Sequence, residues 1–331
     1  MGKEIILSAK DLCIGYPDKK GNTAVHEHLN FSLRKGELCS LIGPNGVGKS
    51  TLLRTISRLQ PKLNGELTLC GKELETFSTK ECSRKISVVL TDKSPIGGLT
   101  VSEVVALGRQ PYTGFFGRLS ENDDAMIQSA IQSVGMAEKA NHHMAELSDG
   151  ERQKAMIAKA LVQESPIILL DEPSAFLDAA SRIEVTQLLH DIAHTQGKAI
   201  LFSTHDLEQA LQLSDQLWLL TGNGLCCGAP EDLVLNHHLN SLFEGKNVFF
   251  DKNNGTFKHT TIYHKTAHLT ASNELLLHWG LNAINRLNIG QASSEQASTS
   301  IEIVSETKIL LQKAGEEKKE LKSFQALAEE L

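Results

Sequence analysis

The chain has 331 residues, a formal net charge of −7 at pH 7, 40% hydrophobic residues and 22% charged residues. This length suggests about two domains on the usual scale of about 100–200 residues each, and the acidic balance argues against a nucleic-acid-binding surface. No apolar run approaches the roughly 20 residues that a membrane-spanning helix needs, and the N-terminal segment Met1–Leu7 is too short and too acidic for a secretory signal. The six cysteines show no C-x-x-C spacing, so we expect free thiols rather than a zinc site or a disulfide framework.

The first part of the chain, through about Leu69, is predicted to form a β-rich edge that leads into a nucleotide-binding core. The segment Glu66–Lys72 has the pattern of a strand that closes at a glycine turn. The apolar run Leu38–Ile42 is typical of a buried strand, and Thr51–Ile56 is typical of the first turns of a helix.

The segment between this strand and this helix matches G-x-x-x-x-G-K-[ST] in full. In such a loop the glycines let backbone amides wrap a phosphate chain, and the helix N-terminus adds a favourable field. Lys49 is predicted to reach the β- and γ-phosphates, and the Ser50 hydroxyl to ligate Mg²⁺. The strand–loop–helix context favours a phosphate loop over a chance glycine-rich turn. The predicted nucleoside triphosphate site consists of Gly43, Pro44, Asn45, Gly46, Val47, Gly48, Lys49, Ser50 and Thr51.

From about residue 94 to residue 160 the pattern becomes helical. Val101, Val104 and Val105 share one face of a first amphipathic helix, and a second helix has its apolar face between Met126 and Val134. A further helix is predicted to begin at the sequence LSDGERQ, residues 147–153, because its serine and the glutamate three residues later fit a capping box.

Two later strands end in polar residues. The run Ile167–Leu170 resembles a fully buried parallel strand, and ligands of open α/β sheets lie at the carboxyl ends of such strands. Asp171 is therefore placed to hold Mg²⁺ through water, and Glu172 to accept a proton from an attacking water. The strand ending at Ser203 is followed by His205, which could bond the γ-phosphate. By itself, this histidine would be interpreted as an ordinary residue at a strand end. The phosphate loop and the Asp-Glu pair, however, favour a functional role for it.

The remainder of the chain alternates between short strands and helices. Two apolar runs flank the turn Thr221–Gly224 and indicate a hairpin. After about residue 245, Val248–Phe257 has the form of strand, turn and strand, and Asn273–Leu287 is helix-like. Residues 291–300 have the composition of a linker or strand-edge loop, and apolar residues from Leu321 to Leu331 form a final helical stripe. We expect residues 246–331 to form a small α+β accessory extension.

The order of phosphate loop, LSDGER segment, Asp-Glu pair and strand-end histidine resembles the ATP-binding cassette (ABC) family over about residues 1–245. The family signature is LSGGQ, so LSDGER is a variant form. The resemblance implies an α/β phosphate-loop NTPase cassette, with a mainly parallel sheet, an antiparallel β edge and an inserted α-helical subdomain at about residues 94–160. It also implies an ATPase that couples hydrolysis to transport, with ATP as substrate and Mg²⁺ as cofactor.

The resemblance further implies roles for residues outside the phosphate loop. Tyr16 lies where the family stacks an aromatic ring on adenine. Ser148 and Gly150 lie in the signature, which would cap the ATP held by a second copy of the chain, and Asp178 lies in a D-loop-like segment expected at the subunit interface. Asp92 stands nearest to the family's Mg²⁺-contacting glutamine and suits that ion, although the alignment could be shifted by one residue.

Two further details concern the signature and the cargo. Asp149 replaces the first signature glycine, and we expect its carboxylate to turn outward and support Arg152 or a neighbouring loop. The sequence around Tyr112, with Phe115 and Phe116, resembles the branch that serves iron–siderophore, haem and cobalamin importers. These three aromatic side chains either contact a permease helix or pack within the helical subdomain.

The sequence therefore leads to the expectation of a homodimeric ATPase subunit on the cytoplasmic face of the membrane. Its expected partners are a transmembrane permease and, indirectly, an extracytoplasmic substrate-binding protein. The alternatives are a soluble cassette ATPase acting on DNA or the ribosome, a phosphate-loop kinase, and a member of the same family that exports its cargo or imports a metal ion. The histidine pairs at residues 142–143 and 237–238 are expected at the surface without metal.

Overall fold

The structure is a computed structural model that describes residues 3–17, 21–90, 97–114, 117–252 and 255–331. Asp92, Phe115 and Phe116 therefore lie outside the described residues. The chain divides into two compact units, residues 1–246 with 250–257 and residues 247–249 with 258–331.

Both units contain strands and helices. In chain order the strands are β1 (Ile5–Tyr16), β2 (Thr23–Arg34), β3 (Leu38–Ile42), β4 (Asn64–Leu69), β5 (Lys72–Glu73), β6 (Ile86–Val89), β7 (Ile167–Leu170), β8 (Ala199–Ser203), β9 (Gln216–Thr221), β10 (Gly224–Gly228), β11 (Val248–Asp251), β12 (Thr256–His259), β13 (Lys265–Ala271), β14 (Ile289–Gln291), β15 (Thr299–Ser305), β16 (Lys308–Lys313) and β17 (Lys319–Leu321). The α-helices are α1 (Lys49–Ile56), α2 (Thr79–Ser83), α3 (Val101–Ala106), α4 (Glu121–Ser133), α5 (Asp149–Val162), α6 (Ala179–Gln196), α7 (Leu207–Leu213), α8 (Pro230–Leu235), α9 (Glu274–Arg286) and α10 (Phe324–Glu330). Short 3₁₀ segments cover Leu74–Thr76, Leu107–Arg109, Ala137–Lys139, Met144–Glu146 and His238–Phe243.

The first unit is built on a six-stranded sheet with the order β10-β9-β3-β8-β7-β6. Its neighbouring strands pair in parallel, except that β10 runs antiparallel to β9. Every residue of β3, β7 and β8 is buried, as expected for parallel strands that are covered on both faces. Because parallel strands end at one edge of a sheet, the segments that follow β3, β7 and β8 meet there.

A second sheet of the first unit, in the order β2-β1-β4-β5, is antiparallel throughout. Its inward residues, among them Leu12 of β1 and Leu33 of β2, share one apolar core with Leu52 and Ile56 of α1 and with Leu41 of β3. This sheet confirms the predicted β-rich edge, and it lies against the segment that carries the phosphate loop.

Helices α3, α4 and α5 pack together, with Val104, Ile131 and Ala158 buried in one cluster. The two predicted amphipathic helices are thus present as α3 and α4. Each of the three helices begins at a capping box. In such a box the cap side chain and the side chain three residues later satisfy amides that the helix itself leaves unpaired.

A buried arginine ties α4 to the end of α5. Arg109 is 4% exposed, and its guanidinium donates to Asp123 Oδ1 at 2.7 Å, to Val162 O at 2.8 Å and to Glu164 Oε2 at 2.9 Å. Hydrogen bonds from Ser120, followed by the bond from Arg109, lower the pKa of Asp123 to about 2. The charge of the buried Arg109 guanidinium is therefore compensated by the carboxylates of Asp123 and Glu164.

Tyr112 packs within this part of the fold. Its hydroxyl donates to the Gln163 carbonyl at 3.0 Å. The guanidinium groups of Arg109 and Arg84 lie 4.2 Å and 4.9 Å from the centre of its ring, within the range of cation–π attraction. Of the two roles predicted for this aromatic residue, the structure shows the packing role.

The second unit has a five-stranded sheet in the order β14-β13-β15-β16-β17. Strand β13 pairs in parallel with β14 and β15, whereas β15, β16 and β17 pair antiparallel. Helix α9 connects β13 to β14 and packs on the sheet so closely that a Cβ on Gly280 would lie 2.4 Å from Ile303 Cδ1. Ile284 of α9 and Leu327 of α10 complete the apolar core of this unit.

The predictions for this region are partly correct. The helix expected at residues 273–287 is confirmed as α9, with Asn273 as its cap. The strand–turn–strand form is confirmed as the sheet of β11 and β12, and turn residues 253 and 254 lie outside the described residues. The prediction that Leu321 belongs to the final helix is wrong. Leu321 ends β17, and α10 begins only at Phe324, after the Ser323 cap. Strands β13, β14, β15, β16 and β17 were not predicted.

In the part of the chain that the structure describes, no helix has both the length and the hydropathy to cross a membrane. All six cysteines are free thiols. The histidines at positions 142, 143, 237 and 238 are exposed, and the described residues contain no cluster of three or more His, Cys, Asp or Glu side chains able to hold a metal ion.

Candidate active site

The phosphate loop runs from the end of β3 to the start of α1, and its glycines are required by its shape. Gly48 has φ of 111°, in the region that favours glycine, and a Cβ there would lie 2.8 Å from Val25 Cγ1. A Cβ on Gly43 would lie 2.2 Å from the Leu220 carbonyl oxygen. At Gly43 and Gly48 the loop therefore lies too close to strands β9 and β2 for a residue larger than glycine.

The amides at the start of α1 are available to an anion. The first backbone bond of this helix runs from Leu52 N–H to Gly48 O at 2.9 Å. Within the described residues, the N–H groups of Gly48, Lys49 and Ser50 meet no protein acceptor. Unpaired amides at a helix N-terminus form a site with positive potential that suits a phosphate group.

Lys49 lies over this loop. Its side chain is buried, and Nζ donates to the Gly43 carbonyl at 2.8 Å and to the Pro44 carbonyl at 3.2 Å. Burial lowers the pKa of this ammonium, and the nearby carboxylates of Glu172 and Asp171 act in the opposite direction. The lysine is thus coupled electrostatically to the residues that follow β7.

Ser203, the last residue of β8, joins the two acidic residues after β7. Its hydroxyl donates to Asp171 Oδ1 at 2.7 Å and accepts from the Glu172 N–H at 2.8 Å. Asp171 is buried, and Glu172 has φ of 48°, which non-glycine residues seldom adopt. One buried hydroxyl therefore fixes both a carboxylate and an unusual backbone conformation.

Glu172 and His205 are in direct contact. The imidazole Nε2 lies 2.6 Å from Glu172 Oε1, and because a carboxylate accepts, Nε2 donates. Both side chains remain partly exposed, on a cleft of about 220 Å³ that Phe176, Arg182 and Asp206 also line. A carboxylate held by a histidine at an accessible cleft is positioned to accept a proton from water.

Tyr16 lies at the end of β1, beside the start of α1. Its hydroxyl is 3.1 Å from Thr51 Oγ1, and 51% of the residue is exposed. This contact holds an accessible aromatic ring next to the phosphate loop.

The signature segment has the geometry of a capped helix. The Ser148 hydroxyl accepts from the Glu151 N–H at 3.3 Å, and Glu151 accepts from the Ser148 N–H at 3.0 Å. The Lys139 ammonium, together with this cap, lowers the pKa of Glu151 to about 2. Asp149 is exposed and lies 3.4 Å from the Arg152 guanidinium, so the expected outward pairing is present.

The signature helix also approaches the D-loop helix. A Cβ on Gly150 would lie 3.1 Å from Ser181 Oγ, and Ser181 N–H donates to the Asp178 carboxylate, which caps α6, at 3.0 Å. In the described part of the chain, Ser148, Gly150 and Asp178 make no hydrogen bond to the phosphate loop.

The structure thus places most of the predicted residues around one sheet edge. The phosphate loop, Asp171, Glu172 and His205 follow β3, β7 and β8 there, whereas the signature and Asp178 form a separate group. Sequence reasoning missed Ser203, and also His26, whose Nε2 lies 2.6 Å from the Val47 carbonyl. A serine at the carboxyl end of a strand was the available signal for the first, whereas nothing in the mixed polar and apolar sequence of β2 marks the second.

The fold and this edge together define an α/β phosphate-loop ATPase. Residues 26–175 match the family model described as ABC transporter. An uncharacterised ABC transporter ATP-binding protein of Methanocaldococcus jannaschii is 40% identical over 255 residues, which are 76% of this chain and 86% of the relative. The chain belongs to the family of ABC transporter ATP-binding proteins, and it is an ATPase of that family.

Two further proteins illustrate the similarity. The iron(3+)-hydroxamate import ATP-binding protein FhuC of Bacillus subtilis is 41% identical over 208 residues, 63% of this chain and 76% of FhuC. A solved dimeric ATP-binding cassette in a post-hydrolysis state, bound to ADP and phosphate, has a TM-score of 0.59 and 26% identity over 68% of this chain and 99% of that one. The predicted family, fold class and ATPase activity are confirmed.

Proposed function

We propose that this chain powers the uptake of an iron–siderophore, haem or cobalamin-type cargo, as one of two identical ATPase subunits bound to a membrane permease. The hydrogen bond between His205 and Glu172, on an accessible cleft beside the phosphate loop, carries the catalytic part of this proposal. The relationship to an iron(3+)-hydroxamate import protein supports the cargo class.

The positions of the site residues support the following proposed roles. The free amides of the phosphate loop and the Lys49 ammonium bind the triphosphate of ATP, while Tyr16 offers its ring to the adenine. Glu172 accepts a proton from the attacking water, and His205 orients this carboxylate and would also bond the γ-phosphate.

The donor set near the loop suits Mg²⁺. Ser50 and Asp171 supply a hydroxyl and a carboxylate oxygen, the hard ligands that this ion takes. These two residues would hold the ion, which when bound neutralises charge on the phosphates. Asp92 is the expected third ligand, but it lies outside the described residues. Its role in the proposal therefore rests on the sequence alone.

The second half of each ATP site is proposed to come from a partner copy of the chain. Ser148 and Gly150 begin a helix whose N-terminus suits an anion, and they make no hydrogen bond to the phosphate loop of their own chain in the described residues. Asp178 would lie at the same interface. ATP then favours the closed dimer because it makes contacts that exist only in that state.

A Glu172→Gln variant tests the catalytic and dimeric parts together. The glutamine still accepts the hydrogen bond from His205 but is a far weaker base, so we expect ATP binding to persist, turnover to be lost, and ATP–Mg²⁺ to trap a dimer that light scattering detects. Glu208→Gln, in the exposed first turn of α7, is the matched control and should hydrolyse ATP like the wild type. Dimerisation that is no stronger with ATP–Mg²⁺ than without nucleotide would contradict the proposed dimer.

The permease and the location on the cytoplasmic face of the membrane need a separate test. A tagged copy of the full chain would be recovered from native membranes solubilised in mild detergent, and its partners identified by mass spectrometry. A stoichiometric polytopic permease is the expected partner, and its companion binding protein can then be assayed with siderophore, haem or cobalamin. Recovery of ribosomal or DNA-repair proteins without a membrane partner would refute the transport role.

A further inference from the structure

Strand β2 passes directly beneath the phosphate loop and presents a histidine to it. His26 is 8% exposed, and its Nε2 lies 2.6 Å from the Val47 carbonyl oxygen. A Cβ on Gly48 would lie 3.3 Å from His26 Cδ2 and 2.8 Å from Val25 Cγ1. The strand and the loop are therefore in van der Waals contact, and the imidazole supplies the hydrogen bond between them.

The direction of this hydrogen bond is fixed by its acceptor. A carbonyl oxygen can only accept, so Nε2 of His26 carries the hydrogen. Helix α1 does not satisfy the Val47 carbonyl, because its first backbone bond goes to the carbonyl of Gly48. Among the described residues, the His26 imidazole is the group that donates a hydrogen bond to the Val47 carbonyl.

The same hydrogen bond orients an amide that faces the ligand side of the loop. The peptide bond between Val47 and Gly48 is trans, like the others of the described chain, and a planar trans peptide directs its C=O and its N–H to opposite sides. Fixing the Val47 oxygen on β2 therefore directs the Gly48 N–H away from β2. That N–H is one of the amides at the start of α1 that meet no protein acceptor in the described chain.

We propose that His26 is a positioning residue for ATP binding, which holds the phosphate loop in its ligand-binding conformation through the Val47 carbonyl. This inference rests on the proposed function, since it concerns the ATP site. A donor that is already oriented costs nothing to order when the ligand binds. Once ATP is bound, its phosphates hold the same amides. Loss of the His26 bond thus weakens nucleotide binding and leaves turnover at saturating ATP nearly unchanged.

The test compares variants that keep or remove the donor. His26→Leu and His26→Met fill the buried position without an N–H, whereas His26→Gln places an amide N–H₂ at about the same distance from the backbone. His28→Gln is the matched control, because His28 belongs to the same strand but is exposed and pairs with Asp11. Equilibrium binding of the nonhydrolysable analogue AMP-PNP with Mg²⁺ is measured by calorimetry, and KM and kcat by phosphate release.

We expect His26→Leu and His26→Met to raise the AMP-PNP Kd and the ATP KM about tenfold, as one buried hydrogen bond implies. The kcat should stay within about twofold, and His26→Gln should regain most of the affinity. The His28→Gln control should match the wild type. Thermal unfolding of each variant shows whether the fold is retained, and His26→Met serves if His26→Leu does not fold.

Three results would overturn the inference: unchanged affinity in both apolar variants, an equal loss in His26→Gln, or a fall in kcat with KM unchanged. A wild-type chain that fails to bind AMP-PNP at all would instead refute the proposed ATP site. The two failures are therefore distinguishable.

Discussion

Removal of the Ser203 hydroxyl is expected to damage both the stability of the first unit and its ATPase activity. This hydroxyl is completely buried, and it makes two hydrogen bonds, of 2.7 Å to the Asp171 carboxylate and 2.8 Å from the Glu172 N–H. A Ser203→Ala variant deletes only one oxygen atom. Its effect therefore reports these two bonds rather than a change in packing.

The size of the effect follows from the charge and burial of the partners. A hydrogen bond to a charged group contributes about 1.5–3 kcal/mol, and a buried group that loses its partner bears the full cost of desolvation. We expect the free energy of unfolding of the first unit to fall by about 2–3 kcal/mol. Loss of the hydrogen bond to the Glu172 N–H releases the Glu172 backbone. We expect this to raise the activation free energy by about 1.4 kcal/mol, which lowers kcat about tenfold.

Urea unfolding measures the first quantity, and phosphate release at saturating ATP measures the second. Ser203→Thr keeps the hydroxyl and should retain most of the activity. Ser165→Ala is the matched control, since Ser165 is equally buried and donates to Ile167 O at 2.9 Å, away from the acidic pair. It should lose stability without losing kcat. A Ser203→Ala variant with wild-type stability and turnover would refute the role of this hydroxyl.

Two further predictions concern ion pairs. Arg109→Met should lower the free energy of unfolding by about 3 kcal/mol, because it leaves the Asp123 carboxylate buried without its cation, whereas Arg152→Met, at an exposed pair, should cost less than about 1 kcal/mol in the same urea titration. Asp123 and Glu151 have pKa values lowered to about 2 in the folded chain, below those of about 4 in an unfolded chain. Their contribution to stability is therefore complete above about pH 4 and is lost as the pH falls towards about 2. Unfolding midpoints measured from pH 6 to pH 2.5 should show this loss, with a smaller slope for Asp123→Asn, and an identical slope in that variant would contradict the assignment.

The features that the sequence predicted well are those whose chemistry lies within one contiguous segment. The phosphate loop is such a segment, because nine successive residues carry both its turn and its ligands. The acidic pair after β7 is another, since a fully apolar run of four residues marks the strand that positions it. In each case the residues that act are adjacent in the chain, so no tertiary contact had to be known.

The residues that were missed act across long separations in the chain. The bond between His26 and Val47 spans 21 residues, and the bond between Ser203 and Glu172 spans 31. Neither residue belongs to a motif, and each becomes informative only when sheet pairing brings its strand beside another element. Histidine and serine within strands are usually ordinary structural residues, so the sequence pattern alone could not select these two.

The second unit shows a different limit. Strand β15 has Ile301 and Ile303 on one buried face, and β16 has Ile309 and Leu311 on the same side of the sheet. Their period-two alternation was a usable signal for strands. It is short, however, and it follows a polar, serine-rich segment that drew the interpretation towards a linker. Leu321 was assigned to the last helix because its spacing to residues 324 and 327 also fits a helical face, although a Ser323 cap begins that helix later.

The signature serine illustrates how a structural role and a functional role can occupy one atom. The Ser148 oxygen accepts a hydrogen bond from the Glu151 N–H, and a hydroxyl has one hydrogen to donate in addition to the bonds that it accepts. In the described chain this hydrogen meets no protein acceptor. Because capping uses the lone pair and an anion would use the hydrogen, the helix cap does not compete with the proposed contact to a partner's ATP. The cap instead fixes the position from which that hydrogen would be donated.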